Sequence, residues 1–257
     1  MIEISKTENI LFFIFNNIEY KCIIDACSNP LCHCKSIHLL FIKKSDENSE
    51  QIKFHLNLKT RKIEEKRKPE EKYKLFADTF LSELAEYDYS ELENIHYNMK
   101  MHYTENSDDT KLKIKFDWMD IEYEQTLIVY NQILRYGVPL FFDFENIKYR
   151  IWDYYCLNTR CTCTEIIVAL NDYYKGNIIF SDIKFDLKKN YWDTSSVSPK
   201  SKNIDNLIKA LKCKYPVEIF LHRYRKLKTL YYYYLKRNKN FSKIYPGLLE
   251  KIKIVNI

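Results

Sequence analysis

The chain reads as an α+β protein built from two tandem modules, each an antiparallel β-meander followed by helices. Three observations carry that reading: a segment repeated at fixed distance, short runs of alternating apolar residues, and helical stripes after each run. Residues 11–20 read LFFIFNNIEY and residues 140–149 read LFFDFENIKY, 129 positions apart and without a gap. The same offset carries Cys27, Cys32 and Cys34 onto Cys156, Cys161 and Cys163, and Asn29 onto Asn158. With two inserted residues, Ile52, Lys53, Phe54 and Leu56 recur as Ile183, Lys184, Phe185 and Leu187.

The elements follow in order. Phe and Ile runs around Asn16-Asn17 predict a hairpin, because Asn tolerates the backbone of a tight turn. A cysteine loop comes next, then a third strand over Ile37 to Ile42. The alternation of Ile52, Phe54, Leu56 and Leu58 marks a half-buried fourth strand. Tyr73, Phe76, Phe80 and Leu84 then fall on one helical stripe, as do Ile204, Leu207, Ile208 and Leu211. Further helices are predicted over Leu92 to Tyr103 and Val217 to Arg237. This organisation places a first module at 1–103, a bridging segment at 104–137 and a second module at 138–257.

Composition narrows the chemistry. The chain has 257 residues, of which 46% are hydrophobic, enough to bury a sizeable core. Only three glycines occur, so no glycine-rich phosphate loop is present and no nucleotide cofactor is expected. No apolar run reaches the ~18 residues of a membrane span. The run from Ile10 to Phe15 is short for a signal-peptide core and lacks a basic lead, so a cytoplasmic protein is expected.

Seven of the eight cysteines fall in two groups sharing the pattern C-x4-C-x-C. Thiolates are soft ligands suited to zinc, and a cysteine cluster in a reducing compartment points to metal before disulfides. A short loop between two strands brings Cys27, Cys32 and Cys34 around one point, and Cys156, Cys161 and Cys163 around another. Two structural zinc ions per chain are therefore expected, with an Fe–S cluster ranked below zinc. A structural site takes four ligands. Aligning Tyr89 with Tyr215 brings His96 onto His222, which offers three cysteines and one histidine in each module. Cys22 and Cys213 are the alternative fourth ligands, and Asp25 and Asp153 are weaker ones. Three thiolates blunt the Lewis acidity of zinc, and no H-E-x-x-H motif supplies a base, so the sites are expected to be structural and the protein non-enzymatic. The alternative is a zinc enzyme with one open coordination position.

Charge is unevenly spread. Residues 199–257 hold 15 Lys or Arg against 3 Asp or Glu, whereas residues 1–198 hold 26 against 32. Arg223, Arg225, Lys226, Lys228, Lys236 and Arg237 are interleaved with tyrosines, an arrangement suited to phosphates and bases. A protein partner or a nucleic acid is thus expected at the C-terminal helix, where Phe220, Tyr224, Leu227 and Tyr231 also fit a buried stripe. Asp117, Asp120, Glu122 and Glu124 surround Trp118 and read as a solvated acidic face.

Overall fold

The computed structural model describes residues 2–5, 8–45, 50–64, 68–198 and 203–248, and divides at residue 106 into two compact units. The first unit is a six-stranded antiparallel meander in chain order: β1 (Ile2–Ser5), β2 (Ile10–Phe15), β3 (Ile18–Ala26), β4 (Ser36–Lys43), β5 (Ile52–Asn57) and β6 (Lys62–Ile63). Two helices follow, α1 (Lys74–Glu83) and α2 (Glu86–Glu105). Alternation sends Phe13, Phe41 and Phe54 to one face of the sheet, where they meet Phe76 and Phe80 of α1. The Phe13 ring lies 5.2 Å from Phe76 and 5.3 Å from Phe80, both edge-on, the geometry favoured by aromatic quadrupoles.

The second unit begins with α3 (Trp118–Glu122), β7 (Ile128–Val129) and α4 (Tyr130–Ile133). The meander then runs through β8 (Leu140–Phe144), β9 (Ile147–Tyr155), β10 (Glu165–Asp172), β11 (Ile178–Asp186) and β12 (Tyr191–Asp193), with β7 paired to the far end of β9. The helices α5 (Ile204–Lys214), α6 (Val217–Arg237) and α7 (Lys239–Ile244) complete it. Phe185 stacks on Trp192 at 4.1 Å, and Phe220 of α6 packs edge-on against Phe185, so α6 covers one face of this sheet.

The two sheets share registers from β2 to β4 and from β8 to β10, and into the next strand as far as Val168, beyond which the β10–β11 ladder shifts twice. Leu11 lies opposite Cys22 as Leu140 lies opposite Ile151, and Ile37 opposite Ala26 as Ile166 opposite Tyr155. Both hairpin turns use two left-handed residues, Asn16-Asn17 and Glu145-Asn146, which suits the twist of a two-residue connection. The offset of 129 persists into β5 and β11, where Ile37 faces Leu56 and Ile166 faces Phe185. The two inserted residues inferred from IKF and IKF are therefore not a structural insertion. A slip of two leaves every side chain on its original face, so residue identity alone did not mark it.

The helices follow a different offset. α2 starts at Glu86 and α6 at Val217, so the long helix of the first unit begins six residues before the predicted Leu92. Tyr215 terminates α5, whereas Tyr89 lies inside α2. These two tyrosines are not equivalent, and the pairing of His96 with His222 that rested on them fails. Counted from the helix starts, His96 is level with Leu227 and His222 with Glu91.

Candidate metal centre

One cysteine loop joins β3 to β4 and the other joins β9 to β10. Each is shaped by an asparagine two residues after the first cysteine. Asn29 accepts a side-chain hydrogen bond from the Leu31 N–H at 3.0 Å, and its carbonyl takes the Cys32 N–H at 3.1 Å. Asn158 repeats both contacts, with the Arg160 N–H at 2.8 Å and the Cys161 N–H at 3.3 Å. This Asx turn reverses the chain within four residues and returns the C-x-C pair beneath the first cysteine. In both loops the N–H of the last cysteine then points at the middle sulfur, Cys34 to Cys32 at 3.4 Å and Cys163 to Cys161 at 3.3 Å.

The result is two groups of three thiols, Cys27, Cys32 and Cys34, and Cys156, Cys161 and Cys163. Within each, the sulfurs lie within 4.8 Å of one another. Three thiolates on one tetrahedral zinc stand about 3.8 Å apart, given a Zn–S bond of about 2.3 Å. Both groups are thus positioned to hold a metal ion. The thiols perturb one another as such crowding requires. Hydrogen bonding from Cys163 pulls Cys156 down to about 6, with help from the nearby Lys228 charge, while Cys163 is driven up by that same bond and by burial. In the first group, burial and the neighbouring Cys32 push Cys34 up to about 11, and the Cys34 backbone bond lowers Cys32. All eight cysteines are free thiols.

The other predicted ligands are dispersed. His96 is buried on α2 and hydrogen-bonds the Cys34 backbone; burial lowers it to about 4, so it is neutral at pH 7 and suited to a metal. It adjoins the first group without belonging to the set of mutually close donors. His222 is exposed, two residues from Tyr224, whose hydroxyl reaches the Cys163 carbonyl at 3.2 Å. Two residues turn a helix by about 200°, so His222 faces away from the second group. Cys22 is fully buried on β3 among the apolar core residues, and Cys213 is exposed on α5. Asp153 is consumed by Arg223 and by the Tyr155 hydroxyl at 2.7 Å, and Asp25 accepts from Tyr103 at 2.8 Å.

Two of the basic residues assigned to a phosphate-binding surface are interior. Arg223 is 3% exposed, pairs with Asp153 at 2.8 Å, donates to the Val138 carbonyl and lies 4.4 Å from the Tyr130 ring centre. Burial opposes its charge, but the Asp153 carboxylate outweighs that and holds it above the ordinary arginine range. Lys226 is 5% exposed and pairs with Asp109 at 2.7 Å. Arg225, Lys236 and Arg237 stay exposed, and Arg237 donates to the Leu112 carbonyl at 2.6 Å.

Groups outside the cysteine pattern hold the loops, among them Lys228, expected on a phosphate-binding surface, and Lys100, which no motif marks. Lys100 of α2 is 0% exposed, and its ammonium donates to the carbonyls of Cys27, at 3.0 Å, and Asn29. Lys228 of α6 donates to the carbonyl of Asn158, the residue equivalent to Asn29, at 3.4 Å. The two lysines occupy different helical levels, since Lys228 is level with Tyr97, yet both end on the same loop carbonyl. Three thiolates and a divalent ion would carry a net charge of −1, and the Lys100 and Lys228 charges already favour the thiolates of Cys32 and Cys156. The second loop has another brace. Glu122, read as part of a solvated face, is 1% exposed; its carboxylate accepts from the Thr159 hydroxyl at 2.7 Å, the Thr159 N–H at 3.1 Å and the Tyr231 hydroxyl at 3.0 Å. Lys100 and Lys228 sit on long helices whose apolar stripes are legible in sequence, whereas Glu122 ends the five-residue α3 and carries no such signal.

The chain matches no family model, no curated protein and no solved structure. No helix among the described residues is long and apolar enough to cross a membrane.

Proposed function

We propose that this is a zinc-binding, non-enzymatic protein of two repeated modules, acting as an interaction module for a protein or other macromolecule in the cytoplasm. The observation that carries the reading is the pair of cysteine triads, each shaped by the same asparagine turn and met by a helix lysine, buried Lys100 in the first and half-buried Lys228 in the second. The zinc ions are structural: three thiolates supply most of the ligand field, and an ion of this kind contributes on the order of 10–16 kcal/mol to folding in zinc-finger peptides. His96 completes the first site, being neutral and held against the Cys34 backbone. The second site takes its fourth ligand from outside the triad and not from His222. An exchangeable ligand there is the feature that the enzyme alternative requires.

The test is metal content of protein purified without added zinc, alongside Cys32→Ser and Cys161→Ser. Two zinc ions per chain, falling by one in each variant, is the expected result. Protein that carries no stoichiometric metal and keeps its fold in chelator overturns the reading.

A further inference from the structure

We infer that the outward face of the second sheet binds single-stranded nucleic acid, with bases stacking on Trp152, Phe141 and Tyr173 and phosphates meeting Lys148, Arg150 and Lys184. The inference names a partner for the interaction module proposed above and rests on that part of the reading, not on the metal.

The face is defined by alternation. Tyr155 stacks on Tyr224 of α6, so the odd-numbered residues of β9 from Tyr149 to Tyr155 face the helices. Lys148, Arg150, Trp152 and Tyr154 project to the other side. Their cross-strand partners share that side: Phe141 and Asn171 opposite Arg150, Ala169 opposite Trp152, and Ile167 between Tyr154 and Lys184. Tyr173 continues the row, its N–H bonded to the Lys148 carbonyl and its ring 5.1 Å from Phe141. Cations and rings are interleaved: the Lys148 ammonium lies 5.4 Å from Phe141 and 4.8 Å from Tyr173, and the Arg150 guanidinium 4.3 Å from Trp152. Rings alternating with guanidinium and ammonium groups form a platform on which unpaired bases stack whatever their identity.

The fold does not require these residues. The same outward positions of the first sheet, set by the common register, hold Lys21, Ile23, Asp25 and Leu40 where the second holds Arg150, Trp152, Tyr154 and Ala169. Asp143 and Asp193 face Lys148 and Lys184, so Arg150 is the cation with no facing carboxylate. Affinity then comes mainly from stacking, which requires unpaired bases and disfavours duplex. Because few phosphates are neutralised, the salt dependence is shallow, a log–log slope of about −0.7 to −2 for one to three phosphates.

The experiment uses the full zinc-loaded chain and fluorescein-labelled oligouridylate and oligothymidylate of about 12 nucleotides, with a hairpin duplex for comparison. Anisotropy gives the affinity, and tryptophan quenching gives the site: Trp118 and Trp192 are buried, whereas Trp152 is half-buried on the platform. The expected result is binding to the single strands that quenches tryptophan, falls about 5- to 100-fold in Trp152→Ala, is largely kept in Trp152→Phe, and is unchanged in Ile23→Ala. Zinc content and circular dichroism of the same samples report folding. Two zinc ions per chain with no oligonucleotide binding overturn this inference and leave the metal reading intact. Binding that Trp152→Ala leaves unchanged, or that equals binding to the duplex, also overturns it. Capture of polyglutamate in place of RNA, lost in Trp152→Ala, assigns the face to an acidic protein and overturns it too.

Discussion

Replacing Lys100 by methionine isolates the brace of the first metal loop with little change in volume. The ammonium is fully buried and makes two hydrogen bonds, to the carbonyls of Cys27 and Asn29. Bonds from a charged donor contribute about 1.5–3 kcal/mol each, so their loss amounts to about 3–6 kcal/mol. Methionine also relieves the desolvation of a buried cation, which returns part of that, for a net destabilisation of about 2–4 kcal/mol. Lys228→Met removes a single bond of 3.4 Å from a half-buried residue, and a loss of about 1 kcal/mol or less is expected. The chain offers a way to read the two units separately, because Trp118, Trp152 and Trp192 all lie in the second. Urea unfolding of the protein as purified, with its metal, is followed by circular dichroism and by tryptophan fluorescence together. Lys100→Met shifts a dichroism transition to lower urea and leaves the tryptophan transition in place; Lys228→Met shifts the tryptophan transition slightly. In competitive zinc titrations, Lys100→Met weakens one site of the two by about 10- to 100-fold, the usual cost of losing a group that orients ligands. Unchanged stability and zinc affinity in Lys100→Met would refute the assignment of Lys100 as a brace.

Three further outcomes are expected. Arg223→Ala leaves Asp153 buried and unpaired and destabilises the second unit by about 3–5 kcal/mol, seen as a shift of the tryptophan transition; a change within 0.5 kcal/mol contradicts the pairing. His96 has a folded-state value of about 4 against 6.5 when free, so the unfolded chain binds the extra proton first as pH falls. Stability is therefore complete above about pH 6.5 and declines as pH falls toward 4, and His96→Gln flattens that segment of the profile. Glu122→Gln weakens the brace on Thr159 and Tyr231, so it lowers zinc affinity at one site while the site lost in Cys32→Ser is unaffected; loss of both sites in Glu122→Gln contradicts this placement.

Much of the fold was legible because strand patterns have a period of two and the cysteine loops repeat at one offset. Alternation placed the strands, and the triads survive intact as clusters. What failed was register between dissimilar sequences. The match of Ile52-Lys53-Phe54 with Ile183-Lys184-Phe185 was displaced by two, a slip to which alternation is blind. On the helices, one shared tyrosine set the alignment, and Tyr215 proved to be a helix terminus and not an interior position. The buried charges were hidden for a different reason. Lysine, arginine and glutamate ordinarily lie in water, so Glu122 and Arg223 read as surface, and Lys100 carries no pattern at all, until the loop carbonyls, the Thr159 N–H and the Asp153 carboxylate they serve are seen. Partners distant in sequence leave no spacing signal.

X-ray absorption at the zinc edge, on protein purified without added metal, tests the central claim most directly. Two zinc ions per chain are predicted, with a first shell dominated by sulfur at about 2.3 Å and three sulfurs per ion. A nitrogen contribution that disappears in His96→Gln assigns the fourth ligand of the first site. No stoichiometric metal, or a shell of oxygen and nitrogen with fewer than two sulfurs per ion, contradicts the account.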